Sequence, residues 1–283
     1  MISVAGLEFS YLKSSRFIEN MSFTVGKGEI FGFLGPSGAG KSTVQKILTG
    51  ILKTYSGSVR VLGAEVKNSK RDFYQNIGVD FEFPNLYSKF TALENLLFFS
   101  KLYSMPGYDI MELLERVGLQ NDAHKRVSEF SKGMKMRLSF VRAIQHKPEL
   151  IFLDEPTSGL DPANARTLKD MILEQKQLGK SILLTTHNMH DAEELCDRVA
   201  FIVDGSIKII DTPNNLRLKK GGNMVTYQYS ENGKRAKTDT QLDGLYENEE
   251  FIHRLKNRQI ISIHSCEQTL EDIFIEITGR CLS

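Results

Sequence analysis

Gly35-Pro36-Ser37-Gly38-Ala39-Gly40-Lys41-Ser42-Thr43 is the stretch on which the fold turns. It has the pattern of a phosphate-binding loop: glycine, four residues, then Gly-Lys-Ser. Gly35, Gly38 and Gly40 carry no Cβ, so the backbone can curl around a phosphate chain and aim its N–H groups inward. Glu29 to Leu34, just before it, reads as a short buried strand. Lys41 to Gly50, just after it, reads as a helix whose N-terminal end faces the anion. Lys41 is then placed at the β- and γ-phosphates, and Ser42 offers its hydroxyl to Mg2+. Pro36, Ser37, Ala39 and Thr43 belong to the same nucleotide-contacting run. The loop alone predicts a nucleoside triphosphate; kinases, GTPases and transport ATPases all use one.

Composition narrows the class. The chain has 283 residues, 41% of them hydrophobic and 25% charged, as in an ordinary globular protein. A net charge of +1 gives no bulk electrostatic case for nucleic acid or an anionic membrane. No apolar run reaches the roughly 18 residues of a spanning helix. The first residues lack a basic segment followed by an apolar one, which reads as no secretion signal. Cys196, Cys266 and Cys281 are widely spaced and odd in number, which suits a reducing compartment better than a disulfide framework.

Outward from the loop, strands and helices alternate. Ile2 to Phe9, Met21 to Val25, Ser58 to Leu62 and Ile77 to Phe81 read as strands. Between Pro84 and His146 the texture turns helical. Thr91 caps a helix with Leu93, Leu96 and Leu97 on one face, Asp109 to Val117 forms a second, and Ser131 caps a third. Glu149 to Leu153 is a nearly continuous apolar run, the mark of a strand covered on both faces. Further on come a helix at Asn164 to Leu178, a strand at Ser181 to Thr185, a helix at Asp191 to Cys196 and a strand at Arg198 to Val203. Asp204-Gly205 turns that last strand into Ile207 to Ile210. The predicted fold is α/β, a mainly parallel core sheet with antiparallel strands at one margin and a helical insertion over 84–146. Lys219 to Asn223 reads as a linker, which sets a first domain of 1–218 and a small α/β appendage of 219–283. In that appendage Glu231-Asn232-Gly233 marks a hairpin, followed by a helix, a strand and a helix.

Asp154 and Glu155 end the buried strand, where sites in open parallel sheets lie. Asp154 can hold Mg2+ as the partner of Ser42. Glu155 can orient and deprotonate an attacking water. His190 and Glu194 have helical i, i+4 spacing, but two residues make no metal site.

With these residues in order, the chain resembles the ATP-binding subunit of an ABC transporter over Ile2 to Leu218. Phe130-Ser131-Lys132-Gly133-Met134 lies where that family has its signature, usually Leu-Ser-Gly-Gly-Gln. Ser158-Gly159-Leu160-Asp161 looks like its D-loop, and His187 follows a strand as its switch histidine does. The resemblance implies two ATP molecules sandwiched between two protomers, as homodimer or heterodimer. Ser131 and the Gly133 N–H at a helix start would then meet the γ-phosphate bound by the opposite subunit. It implies that His187 contacts the γ-phosphate and the water, that Asp161 lies at the nucleotide, and that Tyr11 stacks on adenine. Lys132 and Met134 depart from the usual signature, and this Ser-Lys-Gly-Met form resembles ATPases of bacterial exporters for drugs, antibiotics, lipids or polymers. Glu82 falls where the family's Q-loop glutamine lies and becomes a candidate ligand for nucleotide and Mg2+. The Thr269 to Phe274 segment, with Thr278-Gly279 beyond, is similar to the ends of the same exporter ATPases.

The implied protein hydrolyses ATP and drives a separate transmembrane permease from the cytoplasmic face of the cell membrane, with no nucleic-acid partner. A soluble relative acting on ribosomes or DNA usually carries two ATPase halves or long coiled-coil insertions. A non-hydrolysing regulatory subunit tends to lose residues that stand here as Lys41, Asp154, Glu155 and His187.

Overall fold

The computed structural model describes residues 1–12, 17–220, 224–231, 234–266 and 268–280. It divides into two compact units, Met1–Ile210 and Asp211–Cys281.

The first unit opens with β1 (Ile2–Phe9) and β2 (Ile18–Val25), an antiparallel pair whose inward residues alternate with outward ones. The elements that follow are β3 (Ile30–Leu34), α1 (Lys41–Leu48), β4 (Ser56–Val61), β5 (Ala64–Glu65), α2 (Arg71–Gln75) and β6 (Ile77–Asp80). Then come α3 (Ala92–Ser100), α4 (Ile110–Arg116), α5 (Lys132–Ile144), β7 (Leu150–Asp154) and α6 (Pro162–Gln177). β8 (Ser181–Thr186), α7 (Met189–Leu195), β9 (Arg198–Val203) and β10 (Ser206–Asp211) complete the series.

These strands form two sheets. The larger runs β10-β9-β3-β8-β7-β6, and its pairs β3·β8, β3·β9, β7·β8 and β6·β7 are parallel. β9 and β10 are joined by the two residues Asp204-Gly205, a connection only antiparallel neighbours permit. The smaller sheet, β2-β1-β4-β5, is antiparallel. The antiparallel margin expected beyond the Asp204-Gly205 turn is β10, and β2, β1, β4 and β5 form a separate antiparallel sheet. Both sheets and α1 share one core, in which Phe23 packs on Phe31 and Phe33 at ring separations of 5.8 and 5.0 Å. β3, β7 and β8 are buried at every position, which is why they read as unbroken apolar runs. A fully buried Phe33 contributes about 1.5–3 kcal/mol.

Parallel register then sets the site. Leu34 pairs with Thr186 and Asp154 with Thr185, so the carboxyl ends of β3, β8 and β7 lie level. Gly35, Glu155 and His187 follow at the same edge of the sheet.

Each helix of the 84–146 region is capped by its own sequence. Thr91 and Glu94 form a capping box on α3, Asp109 caps α4, and Ser131 accepts from Met134 N at the start of α5. One expectation fails in α3. Leu93, Leu96 and Leu97 do not share a buried face: Leu96 is buried, but Leu97 is 43% exposed and Phe98 40%. The inner positions are Ala92, Asn95 and Leu96. Asn95 accepts from Tyr87 N at 2.8 Å and donates to Tyr87 O at 3.0 Å. That pairing satisfies the backbone of the preceding loop and turns the helix so that Leu97 faces outward.

The second unit holds α8 (Pro213–Lys220), β11 (Met224–Glu231), β12 (Lys234–Gln241), α9 (Glu249–Lys256), β13 (Ile260–Cys266) and α10 (Leu270–Thr278). Its sheet, β12-β11-β13, is antiparallel throughout. Tyr227, Tyr229 and Phe251 form its small core. Thr269 and Asp272 cap α10, and Gly279 ends it in the left-handed conformation. The expected hairpin has Glu231 paired with Lys234, while its turn at Asn232-Gly233 lies outside the described residues. Residues 221–223 of the expected linker lie outside them too, and Lys219 and Lys220 end α8, a helix the sequence reading did not assign.

Candidate functional site

A cleft of about 380 Å3 opens at the carboxyl edge of the larger sheet. Ser37 to Thr43 line it together with Phe17, Glu82, Asp154, Glu155 and His187.

The loop's shape requires its glycines. A Cβ on Gly35 would lie 2.2 Å from the Ile202 carbonyl oxygen. Gly38 and Gly40 have φ of 80° and 110°, and a Cβ on Gly40 would meet Ile18 Cδ1 at 2.7 Å. Helix α1 begins at Lys41 with no side-chain cap and no acidic residue in its first turn, so its leading N–H groups and dipole are left for an anion. Lys41 is buried and curls over the loop, with Nζ donating to Gly35 O at 2.6 Å and Pro36 O at 3.1 Å. Burial lowers its pKa, while the carboxylates of Glu155, Asp154 and Glu82 pull it back up.

Asp154 is buried at the end of β7, where its Oδ1 accepts from the Thr185 hydroxyl. Glu155 takes a left-handed backbone, φ 51°, an uncommon conformation for a residue with a long side chain. That bend aims its carboxylate into the cleft instead of along the strand. Oε2 accepts from Thr186 Oγ1 at 3.1 Å and Oε1 meets His187 Nδ1 at 2.8 Å. The Glu155 carboxylate is buried, while the His187 side chain is 55% exposed. Glu155 and the exposed histidine therefore form one hydrogen-bonded unit facing the loop.

Ser42, Asp154 and Glu82 also line a neighbouring hollow with Lys46 and Phe81. A hydroxyl and carboxylates with room for water suit Mg2+, which is held through few protein groups and the substrate's phosphates. The described residues contain no group of three or more His, Cys, Asp or Glu that could hold a metal ion.

Tyr11 is 56% exposed and stands beside the cleft without lining it. Its hydroxyl bonds Thr43 Oγ1 at 2.9 Å, and its ring meets Phe9 and Phe17 edge-on at 4.8 and 5.4 Å. Ser131, Gly133 and Asp161 do not line the cleft. A Cβ on Gly133 would meet Leu160 at 3.3 Å, so the start of α5 lies against the Ser158–Asp161 loop. Asp161 caps α6 through Ala163 N and Asn164 N, both at 3.1 Å, and its hydrogen bonds from Asn164 hold its carboxyl below the usual range. The sequence-predicted residues thus fall into two groups: the loop, Glu82, Asp154, Glu155 and His187 around the cleft, and Ser131, Gly133 and Asp161 away from it.

Two features were missed. Phe17 lines the cleft, but a phenylalanine near a strand carries no mark of that role. Asp80, at the end of β6, is buried and accepts from Ser139 Oγ at 2.6 Å. Burial pushes its carboxyl up to about 7, with nearby Asp154 adding to the rise and Ser139 and Arg142 opposing it. In the sequence it is one acidic residue in an apolar strand.

A larger hollow, about 600 Å3, is lined by Ile51, Tyr74, Phe81, Leu86, Tyr87 and Phe99, with Arg142 at its wall. Phe83, Tyr87, Phe90, Leu97, Phe98 and Leu102 stand exposed in the same segments. No helix among the described residues is long and apolar enough to cross a membrane.

Residues 18–158 match the family model for ABC transporters, and residues 223–267 match that for the C-terminal domain of fluoroquinolone efflux ABC transporters. A fluoroquinolones export ATP-binding protein of Mycobacterium tuberculosis is 49% identical across all of this chain and 95% of its own length. The Nod factor export ATP-binding protein I of Rhizobium meliloti is 36% identical, over 99% of this chain and 88% of its own. Among solved structures, an ATP-binding subunit of an ABC transporter superposes with a TM-score of 0.71 at 29% identity. It covers 77% of this chain and 92% of that one.

Proposed function

The chain belongs to the ATP-binding subunits of ABC transporters, and on that premise we propose that it powers an exporter by hydrolysing Mg-ATP between two ATPase protomers. The single observation that carries this reading is the Glu155–His187 pair facing an intact phosphate loop. The phosphate-loop N–H groups and Lys41 hold the β- and γ-phosphates. Ser42 and Asp154, with Glu82 nearby, would hold Mg2+, whose positive charge would offset the charge on the phosphoryl oxygens. Glu155 takes the proton of the attacking water as the new P–O bond forms and ADP departs with the bond it breaks. His187 holds that water and the γ-phosphate in line. Ser131, Gly133 and Asp161 reach the nucleotide of the opposite protomer, which fits their position away from this protomer's own cleft. Tyr11, beside Thr43, offers adenine an aromatic face.

The membrane partner is a permease that seats on the exposed aromatic surface around Tyr87, Phe90 and Phe98 and the hollow beneath it. The ATPase then lies on the cytoplasmic face, with residues 1–218 as motor and 219–283 as appendage. The fluoroquinolones export relative and the match over residues 223–267 support an organic cargo such as a drug or antibiotic.

Glu155→Gln tests the chemistry. It should bind Mg-ATP, lose about 10²- to 10⁴-fold in turnover, and accumulate as an ATP-bound dimer by light scattering. Turnover equal to the parent would remove Glu155 from the role of base.

A further inference from the structure

Glu82 rides on a short span held at both ends by one helix. On one side, Asp80 Oδ1 accepts from Ser139 Oγ at 2.6 Å. On the other, Arg142 Nη1 donates to Asn85 O. Ser139 and Arg142 are three residues apart on α5 and so share a face, and Arg142 Nη2 reaches Ser139 Oγ at 3.4 Å. Arg142 also lies over the Phe99 ring at 5.0 Å, which fixes its reach. Asp80 is 5% exposed and Ser139 fully buried. Asp80 pairs with Leu153 across the parallel ladder, one residue before Asp154. Gln45 of α1 points its Nε2 at the Asp80 carbonyl, 3.5 Å away.

Burying a carboxylate there does not favour folding. Apolar side chains of similar size at Asp80 and Ser139 together would pack as well without the desolvation cost. Such a group needs another reason to be present, and its contacts supply one. Eight residues separate Ser131 from Ser139 along α5, about 12 Å of helix. The same rigid element therefore carries Ser131 and Gly133 at its start and grips the Glu82 span further along.

We infer that Asp80 is a positioning residue: with Ser139 and Arg142 it clamps the Glu82 span to α5, so that Glu82 in the cleft and Ser131 at the helix start take up position together. This rests on the reading of Glu82 as a ligand of the Mg-nucleotide. Asp80 touches no substrate and acts through Glu82.

The test is a double-mutant cycle on the full chain, reading kcat and KM for ATP with melting temperature alongside. Glu82→Ala and Asp80→Leu should each lower kcat about tenfold to a hundredfold, the usual cost of misplacing a catalytic group by an ångström or so. KM should change by less than about threefold, and the Asp80→Leu melting temperature should fall, because the Ser139 hydroxyl and Arg142 lose a buried partner. The double variant should be no slower than Glu82→Ala, because the two residues act in one chain of contacts. Asp80→Asn, which keeps the oxygen that Ser139 donates to, should restore most of kcat. Ser139→Ala removes the other partner with little change in volume and should slow turnover in the same way; it serves where Asp80→Leu does not fold. Multiplying effects of Asp80→Leu and Glu82→Ala, or parent-like kcat in Asp80→Leu or Ser139→Ala, overturns the clamp and leaves Glu82 standing. Parent-like kcat in Glu82→Ala overturns the reading of Glu82 and the clamp with it.

Discussion

Gly35 has no room for a side chain, since the carbonyl of Ile202 lies where a methyl would go. Gly35→Ala must push β9 or the loop aside, a strain of about 1–3 kcal/mol. It should lower the melting temperature and weaken ATP binding together, measured by calorimetry and nucleotide titration. His146 carries a different consequence. Its Nε2 donates to Ile77 O at 2.9 Å, its ring stacks on Tyr103 at 3.7 Å, and burial lowers its pKa to about 4. A histidine depressed on folding binds its proton more readily when unfolded, so it contributes stability that is complete above about pH 6.5 and lost as pH falls toward 4. His146→Gln should flatten the fall in melting temperature between those pH values, while an unchanged slope would assign the acid sensitivity elsewhere. The phosphate loop and Asp154-Glu155 stand out in the sequence because phosphate and metal chemistry restrict which residue types serve there. Asp80 and His146 do not, because their character comes from burial by distant segments.

At the scale of elements, the strands β3, β7 and β8 were legible because both faces are covered and the sequence cannot alternate. Helix starts at Thr91, Asp109 and Ser131 were legible because caps are local hydrogen bonds. The split into two sheets was not, since strand partners are chosen by tertiary packing. The outward face of α3 was hidden by one polar contact, Asn95 with Tyr87. That face now carries a prediction. Leu97 and Phe98 are exposed, and Phe98 meets Tyr87 and Phe90 at 5.1 and 6.2 Å. Changing both to aspartate should leave the ATPase of the purified chain within about twofold, as surface substitutions usually cost little. It should abolish sedimentation with membranes that contain the permease. Retained sedimentation would move the docking surface elsewhere.

At the scale of the whole molecule, the candidate site residues sit in two places. The phosphate loop, Glu82, Asp154, Glu155 and His187 surround one cleft, while Ser131, Gly133 and Asp161 gather at the start of α5 and the loop before α6. A helix start suits an anion, and in this protomer the start of α5 does not line the cleft. A site completed by a second copy joins the two groups without any change of fold. Mixing two inactive variants tests this most directly. Lys41→Ala disables the phosphate loop and keeps the α5 end; Ser131→Arg blocks the α5 end and keeps the loop. Each alone should be inactive, and a mixed dimer should contain one intact site. Recovery of ATPase activity on mixing, in proportion to mixed dimer, is the predicted result. Mixed dimers that form on ATP yet hydrolyse none of it would contradict a shared site.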